Sequence, residues 1–282
     1  MNFYLGCAVW SYGGWVGNFY PPKSRPKDFL HLYSQRFSTV EGNTTFYAVP
    51  DRKTITRWVE QTPAGFKFCP KFPQTVSHRG LLVDAIPAAR DFLTRMEGLG
   101  DRLGTVFLQL PPSYSPEYLA DLQEFLKACS AMNCSLGVEV RHLDWFEKTY
   151  CDCLNDLLFE SNISRVLLDT RPIYNCSDNP QINSTRRKPQ VPVKPVITGD
   201  VGFVRFISHP TKTYNEFWLQ EWIDYLKLHR LKTIYFFVHC PQEENSPNTA
   251  KYFQSQLKKQ GVNVPDLPWD NIAPVPTQLS LF

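Results

Sequence analysis

Residues 105–141 read TVFLQLPPSYSPEYLADLQEFLKACSAMNCSLGVEVR and contain the clearest structural signal in the chain. An apolar run at 105–110 ends at two prolines, and a second apolar run occupies 135–141. Between them, 116–131 carries apolar residues at the three- and four-residue spacing of an amphipathic helix. Because strands that alternate with helices normally pair in parallel, this stretch predicts one strand–helix–strand unit of a parallel sheet.

The same alternation extends outward in both directions. Further strands are expected at 3–9, 38–43, 66–71, 165–169, 202–208 and 233–239, and helices at 26–37, 52–61, 84–96, 145–160, 216–229 and 248–259. Eight such units in about 250 residues match a closed (β/α)8 barrel. The loop after the first strand, WSYGGWVGNFYPP, lacks the glycine spacing of a dinucleotide-binding open sheet.

We therefore predict an α/β fold, a single TIM-type barrel over 1–260. Within it, 171–199 is expected to be an irregular, basic, proline-rich insertion after the sixth strand. Residues 261–282 are expected to form an extended C-terminal tail, because prolines recur along this segment.

The composition excludes several classes of protein. The chain has 282 residues, of which 43% are hydrophobic and 20% charged, and its net charge is only +3. Disordered chains are less hydrophobic and more highly charged. No apolar run approaches the roughly 18 residues of a membrane span, and the first residues lack a signal-peptide layout, so we expect a cytoplasmic protein. The eight cysteines are scattered without a C-x-x-C motif, so we expect free thiols, no disulfides and no structural zinc.

Polar residues interrupt the apolar runs where the predicted strands end, which is where barrels of this type carry their chemistry. Buried charges are costly unless they are paired, so their convergence on one mouth predicts a polar site. The expected catalytic residues are Glu41, Lys71, Glu139, Asp169 and His239. The expected substrate-binding residues are Trp10, Tyr12, Asn43, Gln109, Arg141 and Arg205.

Three interpretations of this mouth remain open. A carboxylate could act as general base with Lys71 or His239 as acid, as in a hydrolase or isomerase, while Arg141 and Arg205 hold an anion. Alternatively, the carboxylates and His239 could hold a divalent metal, although no local motif such as H-E-x-x-H assigns metal ligands. The third interpretation is an inert ion-pair layer that plugs the barrel.

Several stretches also resemble the YecE-like family of bacterial proteins, which have a TIM-barrel fold and no established function. The matching segments are WSYGGWVGNFYP, VEGNTTFYAVP, FKFCPKFPQTVSH, FLQLPPSY, GVEVRHLDWF, RVLLDTRP, VRFI and FVHCPQEENSPNTA, which together span nearly the whole chain. The resemblance implies the barrel. It also implies that the family shares these mouth residues: Glu41, Asn43, Lys71, Gln109, Glu139, Arg141, Asp169, Arg205 and His239. It supplies no reaction and no cofactor.

The insertion concentrates the positive charge of the chain. Residues 171–199 hold five Lys or Arg and one Asp, a net charge of +4, which leaves −1 for the rest of the protein. Arg186, Arg187 and Lys188 are consecutive and lie close to the predicted mouth. They are expected to bind phosphate groups of a metabolite or a nucleic-acid fragment, the alternative being an ordinary solvated loop.

The C-terminal residues Gln278, Leu279, Ser280, Leu281 and Phe282 resemble the short peptide by which bacterial replication and repair proteins bind the DNA sliding clamp. A glutamine can make a fixed polar contact while Leu279, Leu281 and Phe282 fill an apolar cleft. The tail could instead dock on its own barrel.

The sequence thus leaves three hypotheses for function. The first is an enzyme acting on an anionic substrate, recruited to the clamp by its tail. The second is a barrel that binds a ligand or DNA without turnover. The third is an inert barrel with a structural ion-pair plug.

Overall fold

The computed structural model describes residues 1–132, 134–184, 187–229 and 231–271. Within these ranges eight strands lie within two residues of their predicted bounds: β1 (Asn2–Cys7), β2 (Thr39–Gly42), β3 (Lys67–Pro70), β4 (Val106–Gln109), β5 (Leu136–Glu139), β6 (Ser164–Asp169), β7 (Val201–Ile207) and β8 (Thr233–His239). The α-helices of the described ranges are α1 (Phe29–Ser34), α2 (Thr44–Tyr47), α3 (Arg52–Gln61), α4 (Gln74–Ser77), α5 (Ile86–Met96), α6 (Leu119–Ser130), α7 (Lys148–Glu160), α8 (Arg171–Tyr174), α9 (Thr213–Leu228) and α10 (Ser246–Lys259).

The strands are all parallel, as the alternation with helices predicts. Six pair in the order β1-β8-β7-β6-β5-β4, and β2 pairs with β3. Isolated parallel bridges, one of them between Lys71 and Phe107, join β3 to β4. At the seam between β1 and β2, the Leu5 amide donates to the Ser38 hydroxyl at 3.1 Å. Gly6 permits this approach, because a Cβ there would lie 1.9 Å from the Thr39 carbonyl oxygen.

Helices cover the outside of the barrel, and each buries one face against the strands. In α6 the buried residues are Leu122, Phe125, Leu126 and Cys129, at the spacing read from the sequence. They belong to one large apolar cluster between strands and helices. This layer holds the strands in place and leaves the barrel interior to a second set of side chains.

The insertion after β6 lies on the mouth. It begins with α8, and its Ile173 and Val191 pack against Leu168 of β6 and Ile207 of β7. Burial of these four apolar side chains fixes the insertion over the C-terminal ends of the two strands. The expected irregular segment is therefore attached to the barrel at this end.

Residues 261–271, the first part of the expected tail, pack against the barrel. Val262, Val264 and Leu267 are buried in the main cluster. The Trp269 amide donates to the Arg36 carbonyl at 3.2 Å, and its ring packs on Phe19. The apolar residues between the prolines are therefore buried in the core, and the Trp269 ring lies on the first loop. The rest of the predicted tail lies outside the described residues.

Two further expectations concern the whole chain. None of the helices in the described ranges combines the length and apolar character that crossing a bilayer requires. The eight cysteines are free thiols, as their scattered positions predict.

Candidate functional site

Strand alternation decides which side chains face the inside of the barrel. Cys69, Phe107, Phe203 and Phe237 belong to an apolar layer in the interior. Two residues further along each strand, the side chain points inward again. A polar layer therefore lies on the apolar one, formed by Lys71, Gln109, Arg205 and His239 together with Glu41 of β2 and Glu139 of β5.

Arg205 is the centre of this polar layer. Its Nε and Nη2 atoms donate to Oε2 and Oε1 of Glu41, both at 2.8 Å. Its Nη1 atom donates to Oε2 of Glu139. His239 adds a contact of 2.8 Å between its Nε2 and Oε2 of Glu41. The three charged side chains are at most 3% exposed, so the network is closed to solvent.

A second branch runs from Glu139 to the rim. Oε1 of Glu139 accepts from Nε of Arg141 at 2.7 Å. Oε1 of Gln109 accepts from Nη2 of Arg141 at 2.7 Å and from Nζ of Lys71 at 2.8 Å. The Lys71 ammonium also lies 3.8 Å from the centroid of the Phe46 ring. Arg141 is 17% exposed, so this branch reaches the solvent-facing side of the mouth.

The network holds both carboxylates in their charged form. Burial alone would raise the pKa of Glu41 and Glu139, but the adjacent Arg205 charge outweighs it. The pKa of Glu41 is well below its usual value, and the pKa of Glu139 is lowered to about 2. Both are therefore ionised near neutral pH and are weak proton acceptors there.

Lys71 and His239 respond to burial in the opposite way, because their charged forms are cations. Burial, reinforced by the Arg205 charge, lowers the pKa of Lys71 to about 7. Burial likewise lowers the pKa of His239 to about 4 despite the neighbouring Glu41 carboxylate. Near neutral pH, His239 is thus neutral, whereas Lys71 exists in both protonation states.

The insertion brings Lys188 to the same mouth. The amide of Lys188 donates to Oε1 of the buried Gln181 at 2.7 Å, and its carbonyl accepts from the Tyr174 hydroxyl. The backbone at Lys188 is therefore held on both sides. The Lys188 side chain is half-buried, and desolvation together with the Arg205 charge lowers its pKa to about 8.

Lys71 and Lys188 share one property that distinguishes them from the arginines. Among the described residues, neither ammonium has a carboxylate oxygen within 4.0 Å, whereas Arg141 and Arg205 both do. The two lysines therefore supply positive charge that the carboxylates of the network do not neutralise directly.

Glu243 is a site residue that the sequence argument missed. It begins a short 3-10 helix, Glu243–Asn245, just after β8, and its carbonyl accepts from Nε1 of Trp15 at 3.0 Å. Its carboxyl lies beside the Ser246 hydroxyl and the Cys240 backbone, whose hydrogen bonding favours the charged form. Burial raises the pKa of Glu243 to about 8. Two adjacent acids four residues beyond a strand end were the available signal.

Asp169 is not brought into this cluster. Since Leu168 faces inward, the next residue on β6 faces the helices. The Asp169 carboxylate accepts from the guanidinium of Arg171 and, at 2.9 Å, from Nε1 of Trp222 in α9. These bonds anchor the start of the insertion to the helix layer, away from the other expected catalytic residues.

Three of the expected substrate-binding residues, two in the first loop and one after β2, lie in different surroundings. The Tyr12 hydroxyl donates to Oε2 of Glu244 at 3.0 Å on the rim. Asn43 donates to the Ala8 carbonyl at 3.2 Å and ties the ends of β1 and β2 together. Trp10 is buried edge-on against Trp58 and Phe68, between the barrel and α3, so it does not line the mouth.

The remaining expected residues are not part of the described site. Arg187 is exposed, in contrast to its neighbour Lys188. The expected anion-binding Arg186 and the expected clamp-binding residues Gln278, Leu279, Leu281 and Phe282 lie outside the described residues.

The mouth does not fit the divalent metal considered from sequence. Arg205 occupies both carboxylate oxygens of Glu41 and one of Glu139, and Arg141 takes the other. A metal would have to displace these hydrogen bonds and would place a further positive charge beside two guanidinium groups.

A second cluster of ligand-type residues lies in and beside the insertion, at Cys176, Asp178 and His209. Nδ1 of His209 accepts from the Thr211 amide at 2.9 Å, so the ring proton is on Nε2, which faces Asp178 at 3.0 Å. A protonated nitrogen has no lone pair for a metal. The geometry is that of a hydrogen-bonded anchor between the insertion and β7.

Comparison with known proteins agrees with this fold. A family model described as "Protein of unknown function DUF72" matches residues 4–272. The "UPF0759 protein YecE" of Escherichia coli (strain K12) is 35% identical and aligned over 99% of both chains. The "UPF0759 protein YunF" of Bacillus subtilis (strain 168) is 28% identical over 64% of this chain and 61% of its own length.

A solved structure shares the fold at low sequence identity. The crystal structure of a DUF72 family protein from Enterococcus faecalis V583 superposes with a TM-score of 0.68 and 17% identity. It covers 98% of this chain and 99% of its own. On the family model and the full-length relative, this chain belongs to the DUF72 family, of which the YecE proteins are members.

Proposed function

We propose that the barrel mouth binds a phosphate-bearing small molecule or nucleic-acid fragment, and that the protein is an enzyme acting on it. The observation that carries this proposal is a pair of lysines at the mouth, the buried Lys71 and the half-buried Lys188, without a carboxylate partner among the described residues. A buried ammonium is costly unless an opposite charge neutralises it. A bound anion supplies that charge.

Lys71 is the proton-transfer group in this proposal. General acid–base catalysis works best when the pKa of the group is close to the operating pH, and the pKa of Lys71 is about 7. Glu41 and Glu139 have strongly lowered pKa values and are committed to Arg205. We therefore assign them to positioning the arginines, and proton transfer to Lys71 in place of a carboxylate.

The binding part is tested with inorganic phosphate by isothermal titration calorimetry on the full chain. Lys71→Met and Lys188→Met should each weaken binding by roughly tenfold or more, the cost of one charge-assisted contact. Lys194→Met is the matched control, because it removes an exposed cation of the same insertion outside the expected anion-binding set, and it should leave the affinity unchanged. Equal affinity in all four proteins would refute an anion site at the mouth.

The catalytic part is tested by turnover. Wild-type protein and Lys71→Met are incubated with a mixture of phosphorylated metabolites and oligonucleotide fragments, which is then analysed by mass spectrometry. We expect depletion of one compound by the wild type alone. Anion binding without any depletion would favour the ligand-binding barrel, and neither binding nor depletion would favour the inert ion-pair plug.

We further propose, from the sequence of the tail, that Gln278, Leu279, Leu281 and Phe282 bind the DNA sliding clamp. The support is the five-residue resemblance and the apolar character of the terminus. Such recruitment would favour a nucleic-acid fragment or nucleotide as the substrate.

A further inference from the structure

A cavity of about 280 Å³ lies at the rim of the barrel, between the loops that follow β3 and β4. His78 and Leu81 line it from the first of these loops, and Pro111, Tyr114 and Tyr118 from the second. Both loops begin at the C-terminal ends of strands, so the cavity lies on the same face of the barrel as the ion-pair network. Its volume is close to the lower end of the roughly 300–1,000 Å³ of small-molecule sites.

The two walls of the cavity are held together by one carboxylate. The Asp121 carboxylate of α6 accepts from the amides of Leu82 and Val83 at 2.9 and 3.0 Å. It also accepts from the Tyr114 hydroxyl at 2.7 Å. In addition, Nε1 of Trp145 donates to the Tyr114 carbonyl at 2.8 Å. The cavity is therefore formed in advance, and a ligand that enters it does not have to order its walls.

Two large apolar side chains of the cavity are exposed. Leu81 is 42% and Tyr118 is 38% exposed, although Leu82 and Tyr114 beside them are buried. The Tyr118 ring packs on the Tyr114 ring at a centroid distance of 5.1 Å, which restrains its position. Exposed apolar groups that line a concave site are typical of ligand contacts. A flat aromatic group is the partner that a tyrosine ring fits best.

Phe46 connects this cavity with the proposed anion site. Nζ of Lys71 lies 3.8 Å from the Phe46 ring centroid, and the His78 ring lies edge-on to the same ring at 5.0 Å. The ammonium and the imidazole therefore cannot be further apart than the sum of these two distances. A second connection runs along the chain, since Gln109, which accepts from Lys71, is followed after one residue by Pro111 of the cavity wall. One ligand of moderate size can therefore reach both places.

We infer that the cavity binds the base of a nucleoside phosphate, while the phosphate of the same ligand contacts Lys71. This inference rests on the proposed anion site and narrows its substrate class. The base would stack on Tyr118 and contact Leu81. A free nucleotide and the 5′-phosphorylated end of a nucleic acid both carry this chemistry.

His78 supplies the polar contact that a base requires. Its Nδ1 and the Ser77 hydroxyl are 2.7 Å apart, a hydrogen bond that restrains the ring. Among the described residues, Nε2 of the same ring has no hydrogen-bond partner. An imidazole nitrogen can donate or accept, so it can pair with a polar edge of the base.

The test is calorimetry on the full chain with ligands that differ only in the base. The monophosphates of adenosine, guanosine, cytidine and uridine are compared with ribose 5-phosphate and with inorganic phosphate. At least one nucleotide should bind about tenfold or more tightly than ribose 5-phosphate, because stacking of the base is added. Equal affinity for ribose 5-phosphate and all four nucleotides would overturn the inference. If inorganic phosphate and every phosphate ester fail to bind, the proposed anion site itself is wrong, which is a distinct result.

Two substitutions show whether Tyr118 causes the preference for a base. Tyr118→Ala should reduce the ratio of nucleotide to ribose 5-phosphate affinity to near one, and Tyr118→Phe, which keeps the ring, should retain it. Tyr150→Ala removes a similarly exposed tyrosine of α7 that does not line the cavity, and it should keep the full ratio. A ratio that survives Tyr118→Ala would overturn the assignment.

A 5′-phosphorylated trinucleotide that begins with the preferred base distinguishes the two sources of the ligand. Tighter binding than that of the mononucleotide identifies a nucleic-acid end, and weaker binding identifies a free nucleotide. Either result agrees with the base site, provided that Tyr118→Ala weakens binding of the ligand that the wild type prefers.

Discussion

Arg205 and Glu41 are 164 residues apart in the sequence and form a two-pronged ion pair in the interior of the barrel. The same guanidinium also reaches Glu139 of β5. One side chain of β7 therefore ties together strands on opposite sides of the barrel. Lys71 and Lys188, whose charges this network leaves unneutralised, lie around it.

Removing one member of the ion-pair network should strongly destabilise the protein. Arg205→Met leaves two carboxylates buried without their main partner, and we expect the free energy of unfolding to fall by about 3–5 kcal/mol. The measurement is equilibrium unfolding in urea. Lys148→Met breaks an exposed ion pair with Asp152 and should cause no measurable loss.

The origin of that loss can be checked by removing the orphaned charges as well. The triple variant Glu41→Gln, Glu139→Gln, Arg205→Met should recover part of the lost stability, since no unpaired carboxylate remains. A triple variant less stable than Arg205→Met alone would contradict this explanation.

Anion affinity should fall as the pH rises through about 7 to 8. Both lysines have lowered pKa values, about 7 for Lys71 and about 8 for Lys188, and only their protonated forms attract an anion. Deprotonation of Glu243, with a pKa of about 8, adds a negative charge and acts in the same direction. A bound anion shifts the pH range of this loss upward, because it favours the charged form of the lysines.

The probe for this prediction is sulfate, because its charge is constant between pH 6 and 9. The titratable or charged groups coupled to the two lysines are Glu41, His78, Glu139, Arg141, Arg205, His239 and Glu243. Of these only Glu243 changes charge between pH 6 and 9, since the pKa values of His78 and His239 are both about 4. We expect roughly a tenfold or larger loss of affinity over this range, and a shallower one in Lys71→Met. A flat profile would contradict the assignment.

The hydrogen bonds that hold the Lys188 backbone should affect phosphate binding but have little effect on folding. Tyr174→Phe removes the hydroxyl that donates to the Lys188 carbonyl, so we expect a several-fold loss of phosphate affinity with unchanged secondary structure by circular dichroism. In a Lys188→Met background the same change should have no further effect on affinity, because the residue it positions is gone. Additive losses would show that Tyr174 acts elsewhere.

Sliding-clamp binding should depend on the last five residues. Purified full-length protein should bind the bacterial clamp in surface plasmon resonance, and deletion of residues 278–282 should abolish binding. Replacing Leu281 and Phe282 by Ala should give the same loss, since these side chains fill the apolar cleft, whereas Ser280→Ala should not. Binding that survives the deletion, or no binding by the intact chain, would refute the proposal.

Much of the site could be predicted from the sequence because it lies on strands. In a parallel barrel the strand ends meet at one rim, so Glu41, Glu139, Arg141 and Arg205 could be brought together without coordinates. Asp169 shows where this reasoning fails. The position of a strand end shows that a residue lies near the rim but not whether its side chain faces the interior. Side chains alternate along a strand, and Asp169 faces α9 because its neighbour Leu168 faces the interior.

Loop conformation and tertiary packing determine the part of the site that the strands do not. The apolar spacing of each segment, a local property, determined the eight strands, the helices between them and the parallel order. The backbone position of Lys188 depends on Gln181 and Tyr174, and the position of Glu243 depends on Trp15 of the first loop. Such contacts join residues distant in sequence and shift pKa values through desolvation. Only the tertiary structure could therefore decide which charges are neutralised and which are left for a ligand.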